Sequence, residues 1–137
     1  MNFLRNKLID IALEVRSFSH SPYSNKKIGS AIQLDNGKIY SGCNIENASY
    51  GATVCAERVA IFKGVSEGLT RFTAVAVVTD VAELTPPCGA CRQLLWEFAP
   101  DATVTLANTA GRTETFTVRE LLPRGFDASQ LGPVTPS

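Results

Sequence analysis

Apolar side chains return every three or four positions at the start of the chain, where Leu4, Leu8, Ile11, Val15 and Phe18 alternate with Arg5, Lys7, Asp10, Glu14 and Arg16. That period predicts an amphipathic helix whose apolar stripe covers one face of a sheet. His20-Ser21-Pro22-Tyr23-Ser24-Asn25 ends it as a loop, because Pro22 disfavours helical geometry at Ser21, and Lys26 and Lys27 close that loop. Ile28, Ile32 and Leu34 lie before Asp35-Asn36-Gly37-Lys38, and Ile39, Tyr40 and Cys43 follow it. Asn-Gly between two such runs predicts an antiparallel hairpin, with Cys43 a buried thiol in its second strand. Ala56, Val59, Ala60 and Phe62 suit a buried helix from Val54 to about Gly64, with Cys55 in its first turn. Phe72 to Val78 is a nearly unbroken β-prone run, the signature of a central strand covered on both faces. Pro86-Pro87 then opens a third helix running through Leu94, Leu95, Trp96 and Phe98, whose first turn carries Cys88 and Cys91. Two short strands are expected at 104–107 and 115–118, and Thr117 to Glu120 has capping-box spacing for a last short helix.

Helix, hairpin, then alternating helix and strand predict an α/β fold, a three-layer α/β/α domain with a mixed sheet of about five strands. The 137 residues are expected to form one domain, with about 128–137 a flexible tail. Thirteen basic residues balance thirteen acidic ones, so the positive footprint of a nucleic-acid binder is missing and a small free substrate is expected. No run is long enough to span a bilayer and the opening residues lack an apolar signal core, which argues for a cytoplasmic protein with no membrane partner. In a reducing compartment the four cysteines read as metal ligands or buried thiols rather than disulfides.

The chemistry concentrates in Cys55-Ala56-Glu57-Arg58 and Pro87-Cys88-Gly89-Ala90-Cys91-Arg92-Gln93. A lone C-x-x-C is shared by redox motifs and structural zinc knuckles, but Cys55 supplies a third thiol and Glu57 a carboxylate two residues later. Three protein ligands leave one tetrahedral position for water, which separates a catalytic zinc site from a closed structural one. Cys43 and His20 are the remaining Cys and His, and neither is well placed as a fourth ligand. Cys55, Cys88 and Cys91 are thus the candidate ligands of one zinc ion, and Glu57 the candidate acid and base. Both ligand groups fall at expected helix starts, which favour thiolates. Three thiolates on Zn²⁺ leave a formal −1, so a neighbouring cation is expected; Arg58, one turn after Cys55, is the candidate, with Gln93 placed to orient it.

With Asn44-Ile45-Glu46-Asn47-Ala48-Ser49-Tyr50 added, these motifs resemble the small homotetrameric zinc-dependent cytidine deaminases of the cytidine and deoxycytidylate deaminase superfamily. The resemblance runs from Ser21-Pro22-Tyr23-Ser24 to Phe126. It implies the cytidine deaminase fold and hydrolysis of free cytidine or deoxycytidine to uridine or deoxyuridine with release of ammonia, a step of pyrimidine salvage. Activated water would attack C4 of the pyrimidine while Glu57 moves a proton to the ring nitrogen and then to the departing amine. The resemblance further implies that Asn44 and Glu46 hold a sugar hydroxyl, that the Ala56 carbonyl faces the exocyclic amine, and that Phe126 and Tyr50 stand at sites shared between chains. Some of the site residues also have a plainer reading: Asn44 and Glu46 as ordinary loop residues, Phe126 as a tail residue on its own core, Arg58 as a surface arginine, Glu57 as a solvated helix carboxylate. The chain departs from the family at Lys26, where an aromatic residue usually meets the pyrimidine. Without that wall, cytidines carrying bulk on the base are expected to be better tolerated.

Three rival readings remain at this level. An aminoglycosyl-cytosine antibiotic deaminase shares the zinc pattern, although the 44–50 loop favours the nucleoside enzyme. A structural zinc module would need a fourth protein ligand and, for RNA, a basic face. A thioredoxin-like redox protein leaves Cys55 and Glu57 without a purpose.

Overall fold

The computed structural model describes residues 3–133, with side chains from Lys7 onward. Its elements are α1 (Phe3–Arg16), β1 (Gly29–Leu34), β2 (Ile39–Cys43), α2 (Ala56–Val65), β3 (Phe72–Thr79), α3 (Gly89–Phe98), β4 (Thr103–Asn108), β5 (Thr113–Thr117) and α4 (Val118–Leu121). Single 3-10 turns lie at Tyr50–Ala52 and Ala128–Gln130. The strands form one five-stranded sheet in the order β2-β1-β3-β4-β5. Only the β3–β4 pairing is parallel, so the sheet is mixed as expected.

Strand alternation sorts side chains into two cores. On one face Ala31, Ala76, Val78 and Ala107 meet Leu8 and Ala12 of α1. On the other, Ile32, Val75, Val77, Val104 and Leu106 meet Ala60 and Ile61 of α2 and Leu95 of α3. Three layers result, with α1 the one helix on its side among the described residues. Two close approaches depend on glycine. A Cβ on Gly29 would stand 1.9 Å from the Ala12 carbonyl oxygen, and one on Gly42 would stand 2.7 Å from Ala56 O and Ala60 N. The second approach matters for function, because it seats the first turn of α2 directly against β2.

The hairpin follows its turn chemistry: Gly37 takes φ of 89°, its N–H donates to Leu34 O, and the Leu34 N–H donates to Lys38 O. The capping box at Thr117 forms as the spacing predicts, with the Glu120 N–H donating to Thr117 Oγ1 and the Thr117 N–H to Glu120 Oε1. Cys43 is a buried free thiol. The expected stripe of the first helix needs correction. The helix ends at Arg16, Phe18 is 74% exposed beyond it, and the fully buried contacts come from Leu8 and Ala12. Leu4 lies outside the described side chains. Within the expected tail, Ala128–Gln130 forms a turn capped by Asp127, whose carboxylate accepts from the Ser129 N–H, while residues 134–137 lie outside the described residues.

Candidate active site and metal centre

Two helix starts converge on the sheet face opposite α1. Cys55 is the N-cap of α2 and Cys88 the N-cap of α3, and Cys91 sits in the first turn of α3. Both caps hold extended backbone, with ψ of 154° at Cys55 and 168° at Cys88. Cys55 Sγ lies 3.8 Å from Cys88 Sγ, Cys88 Sγ lies 3.5 Å from Cys91 Sγ, and all three sulfurs lie within 4.8 Å of one another. Tetrahedral zinc with bonds near 2.3 Å places neighbouring sulfurs about 3.8 Å apart, so this donor set fits the ion.

The electrostatics of the thiols agree with that fit. The Cys55 thiol is pulled down to about 5, chiefly by a hydrogen bond from Cys91 and further by the Arg58 guanidinium. Cys91 is pushed the other way, because it keeps the proton that it donates to Cys55 and is desolvated by burial. The helix start therefore does not ionise Cys91 unaided, contrary to the expectation from the dipole alone. Sulfurs this close all become thiolates when a cation neutralises them.

Glu57 follows Cys55 by two residues, in the first turn of α2, and is 4% exposed, an unusual burial for a carboxylate. Desolvation pushes its carboxyl up to about 7, with the negative Cys55 adding to the rise. A carboxyl poised there exchanges protons near neutral pH, which is what acid and base catalysis requires. Arg58 points its Nη2 at both Thr53 O (3.1 Å) and Cys55 Sγ (3.7 Å), so the candidate cation does reach the thiol cluster.

Glu57, Cys55 and Cys88 line a cavity of about 240 Å³ together with Lys26, Asn44, Glu46 and Val77. A second cavity of about 310 Å³, lined by Tyr23, Ser24, Glu46, Tyr50 and Thr53, adjoins it through Ser24, Glu46 and Thr53. Glu46 stands at the seam. Its Oε1 accepts from the Tyr23 and Ser24 N–H groups at 3.0 and 3.1 Å, and its Oε2 accepts from Ser24 Oγ. Asn44 is buried and ties the loops together: Oδ1 accepts from the Ile28 N–H and from Ser19 Oγ, and Nδ2 donates to Lys26 O at 2.8 Å. Backbone bonds from Ile45 to Val54 and from Glu46 to His20 complete the rim.

Other sequence expectations move. Gln93 does not reach Arg58; its Nε2 donates to Phe126 O and its Oε1 accepts from the Phe126 N–H, because the chain after α4 returns past α3. Ala56 is fully buried with its carbonyl beside Gly42 and Ala60 N, on the sheet side of α2, and it is not among the cavity's lining residues. Phe126 and Tyr50 are 54% and 76% exposed, so Phe126 is no packed tail residue of its own core. Tyr50 meets Tyr23 edge-on with ring centroids 6.3 Å apart. Lys26 is exposed at the cavity rim. Sequence reasoning missed Tyr23, Ser24 and Thr53 as wall residues, although turn chemistry had marked Ser24. Arg92 braces the head of α3 by donating to Pro87 O and Leu121 O, each at 2.8 Å.

The cytidine and deoxycytidylate deaminase zinc-binding region matches residues 4–107. A cytidine deaminase of Halalkalibacterium halodurans is 46% identical over 128 residues, covering 93% of this chain and 97% of that one. A cytidine deaminase of Sporosarcina psychrophila is 45% identical over 126 residues, covering 91% and 93%. The crystal structure of cytidine deaminase from Burkholderia pseudomallei superposes with a TM-score of 0.86 at 40% identity, covering 92% of this chain and all of that one. A Blasticidin-S deaminase from Bacillus cereus is more distant, at 34% identity over 125 residues. By its sequence match, its relatives and its fold, the chain belongs to the cytidine and deoxycytidylate deaminase zinc-binding family.

Proposed function

We infer that this chain is a hydrolase that deaminates free cytidine and deoxycytidine to uridine and deoxyuridine, releasing ammonia, with one zinc ion held by Cys55, Cys88 and Cys91. The observation that carries this reading is Glu57: a buried carboxyl whose pKa lies near 7, beside three converging thiols and lining an open cavity. Zinc held there supplies Lewis acidity, which makes water a nucleophile at neutral pH. Glu57 takes the proton that water gives up as it adds to C4 of the pyrimidine, and passes it to the ring nitrogen. It then takes the proton of the new C4 hydroxyl and delivers it to the exocyclic amine as the C4–N bond breaks, so that ammonia leaves and the carbonyl of uridine remains. Arg58 offsets the negative charge of the thiolates from its position against Cys55.

The loop wall holds the sugar. Glu46 presents a carboxylate where the two cavities join, and Asn44, with Oδ1 occupied twice, keeps one amide hydrogen for a ligand. A carboxylate at that end repels a phosphate, which favours a nucleoside over a nucleotide. A structural zinc module would need a fourth ligand, and the metal-binding cluster among the described residues has three members. Lys26, at the rim in place of a rigid aromatic wall, widens the choice of base, so cytidines modified on the ring or amine are accepted as well. The exposed Tyr50 and Phe126 support a homotetramer in which neighbouring chains complete each site. Such an enzyme belongs to pyrimidine salvage in the cytoplasm. The test follows loss of the cytidine absorbance band against zinc content. One zinc per chain with conversion to uridine is expected, and a zinc-loaded protein inert toward cytidine would overturn the reading.

A further inference from the structure

One buried hydroxyl on the cavity wall has no hydrogen-bond partner among the described residues. Thr79 closes β3, whose residues Val75 and Val77 enter the core beneath α2 and α3. Strand alternation turns Thr79 to that same side. There it lines the 240 Å³ cavity with Val77, Glu57, Cys55 and Cys88. The residue is 3% exposed, and its Oγ1 is buried without a hydrogen-bond partner among the described residues. Other buried hydroxyls of the sheet are satisfied. Ser30 Oγ donates to Ala76 O at 2.8 Å, and Thr105 Oγ1 lies 3.2 Å from Thr115 Oγ1. The backbone at Thr79 is fixed, since its carbonyl accepts from the Thr109 N–H at 3.1 Å. Its place is also telling: β3 and β4 form the parallel pair, and ligands of α/β sheets collect beyond the carboxyl ends of parallel strands.

A buried hydroxyl left unpaired lowers the stability of the free protein, and native structures rarely keep one without a use. We propose that Thr79 is a substrate-contacting, specificity-determining residue whose hydroxyl hydrogen-bonds the polar edge of the pyrimidine bound beside Glu57. The inference rests on the cytidine reading above. Because a hydroxyl hydrogen rotates, the group serves as donor or acceptor, and none of the described residues competes for it. A site built this way favours ligands that satisfy the hydroxyl over apolar isosteres that leave it unpaired.

The test compares Thr79→Val, which keeps the shape and removes the hydroxyl, with Thr79→Ser, which keeps the hydroxyl. Four quantities are measured: kcat/KM for cytidine, uridine affinity by calorimetry, zinc content, and Tm without ligand. Thr79→Val is expected to lose roughly 3- to 10-fold in both kcat/KM and uridine affinity, the worth of one neutral hydrogen bond. Its zinc content should match the parent's, and its Tm should be equal or higher, since an unsatisfied buried group has been removed. Thr79→Ser should retain most of the affinity. Parental uridine binding by Thr79→Val would overturn the proposal. So would a lowered Tm or failure to fold in Thr79→Val that Ser restores, because the hydroxyl would then have a structural partner. A parent protein inert toward cytidine would overturn the underlying reading, and this one with it.

Discussion

The two walls of the cavity are built on opposite terms. The wall formed by the heads of α2 and α3 is the drier one and is fixed by backbone: Glu57 and Cys91 are buried while Cys88 is exposed at its edge, and Gly42 seats α2 against β2 with no room for a Cβ. The facing wall, from the 20–26 and 44–54 loops, is wet and fixed by side chains, with Tyr23, Ser24, Lys26 and Tyr50 exposed and Glu46 and Asn44 bridging between loops. Low dielectric strengthens every charge on the first wall, which is where proton transfer is needed. Screening by water weakens the second, where the proposed sugar contact needs only hydrogen bonds. Under the proposed function the difference divides reaction and recognition between regular elements and loops, so substitutions should separate them kinetically.

The largest effect is expected on the first wall. Cys88→Ala removes an exposed thiol and leaves the core intact, yet zinc content should fall near zero and cytidine turnover should become undetectable. A variant that keeps both would show that Cys88 is no ligand. Next comes Glu46→Gln on the second wall, which keeps one acceptor but gives up the charge received by three Ser24 and Tyr23 donors. Losing a charged hydrogen bond should raise KM by about 10- to 100-fold with kcat nearly unchanged. A collapse of kcat at constant KM would instead place Glu46 in the chemistry and erase the division. The smallest effect belongs to Lys26→Phe. Base–aromatic stacking is worth about 1–3 kcal/mol, so the substitution should improve kcat/KM for cytidine and lower the ratio of an N4-alkyl cytidine to cytidine by roughly tenfold. An unchanged ratio would mean that Lys26 does not shape the pocket.

The first wall was far more legible in the sequence than the second. Cys55, Glu57 and Arg58 lie within one turn, and Cys88 and Cys91 within another, so local spacing already determined how they would converge once both helices started at their cysteines. The hairpin was equally readable, because Asn36-Gly37 encodes its own turn. Legibility failed where a side chain satisfies distant backbone. Gln93 pairs with Phe126 thirty-three residues away, and Asn44 turns inward to Ile28 and Lys26 while reading as a loop residue. No local pattern encodes such contacts; they arise because buried polar groups take whatever partner the tertiary fold brings near. Thr79 was hidden for a related reason, since a threonine ending a β-prone run reads as ordinary strand composition.

The claim that the dry wall alone moves the protons is tested most directly by cytidine turnover of zinc-replete Glu57→Gln, with uridine affinity measured on the same sample. The amide keeps the shape of the buried side chain and cannot carry a proton at neutral pH. The expected result is kcat lower by about 10²- to 10⁴-fold, with zinc content and uridine affinity close to the parent's. Turnover at the parental rate in a zinc-loaded Glu57→Gln would contradict it.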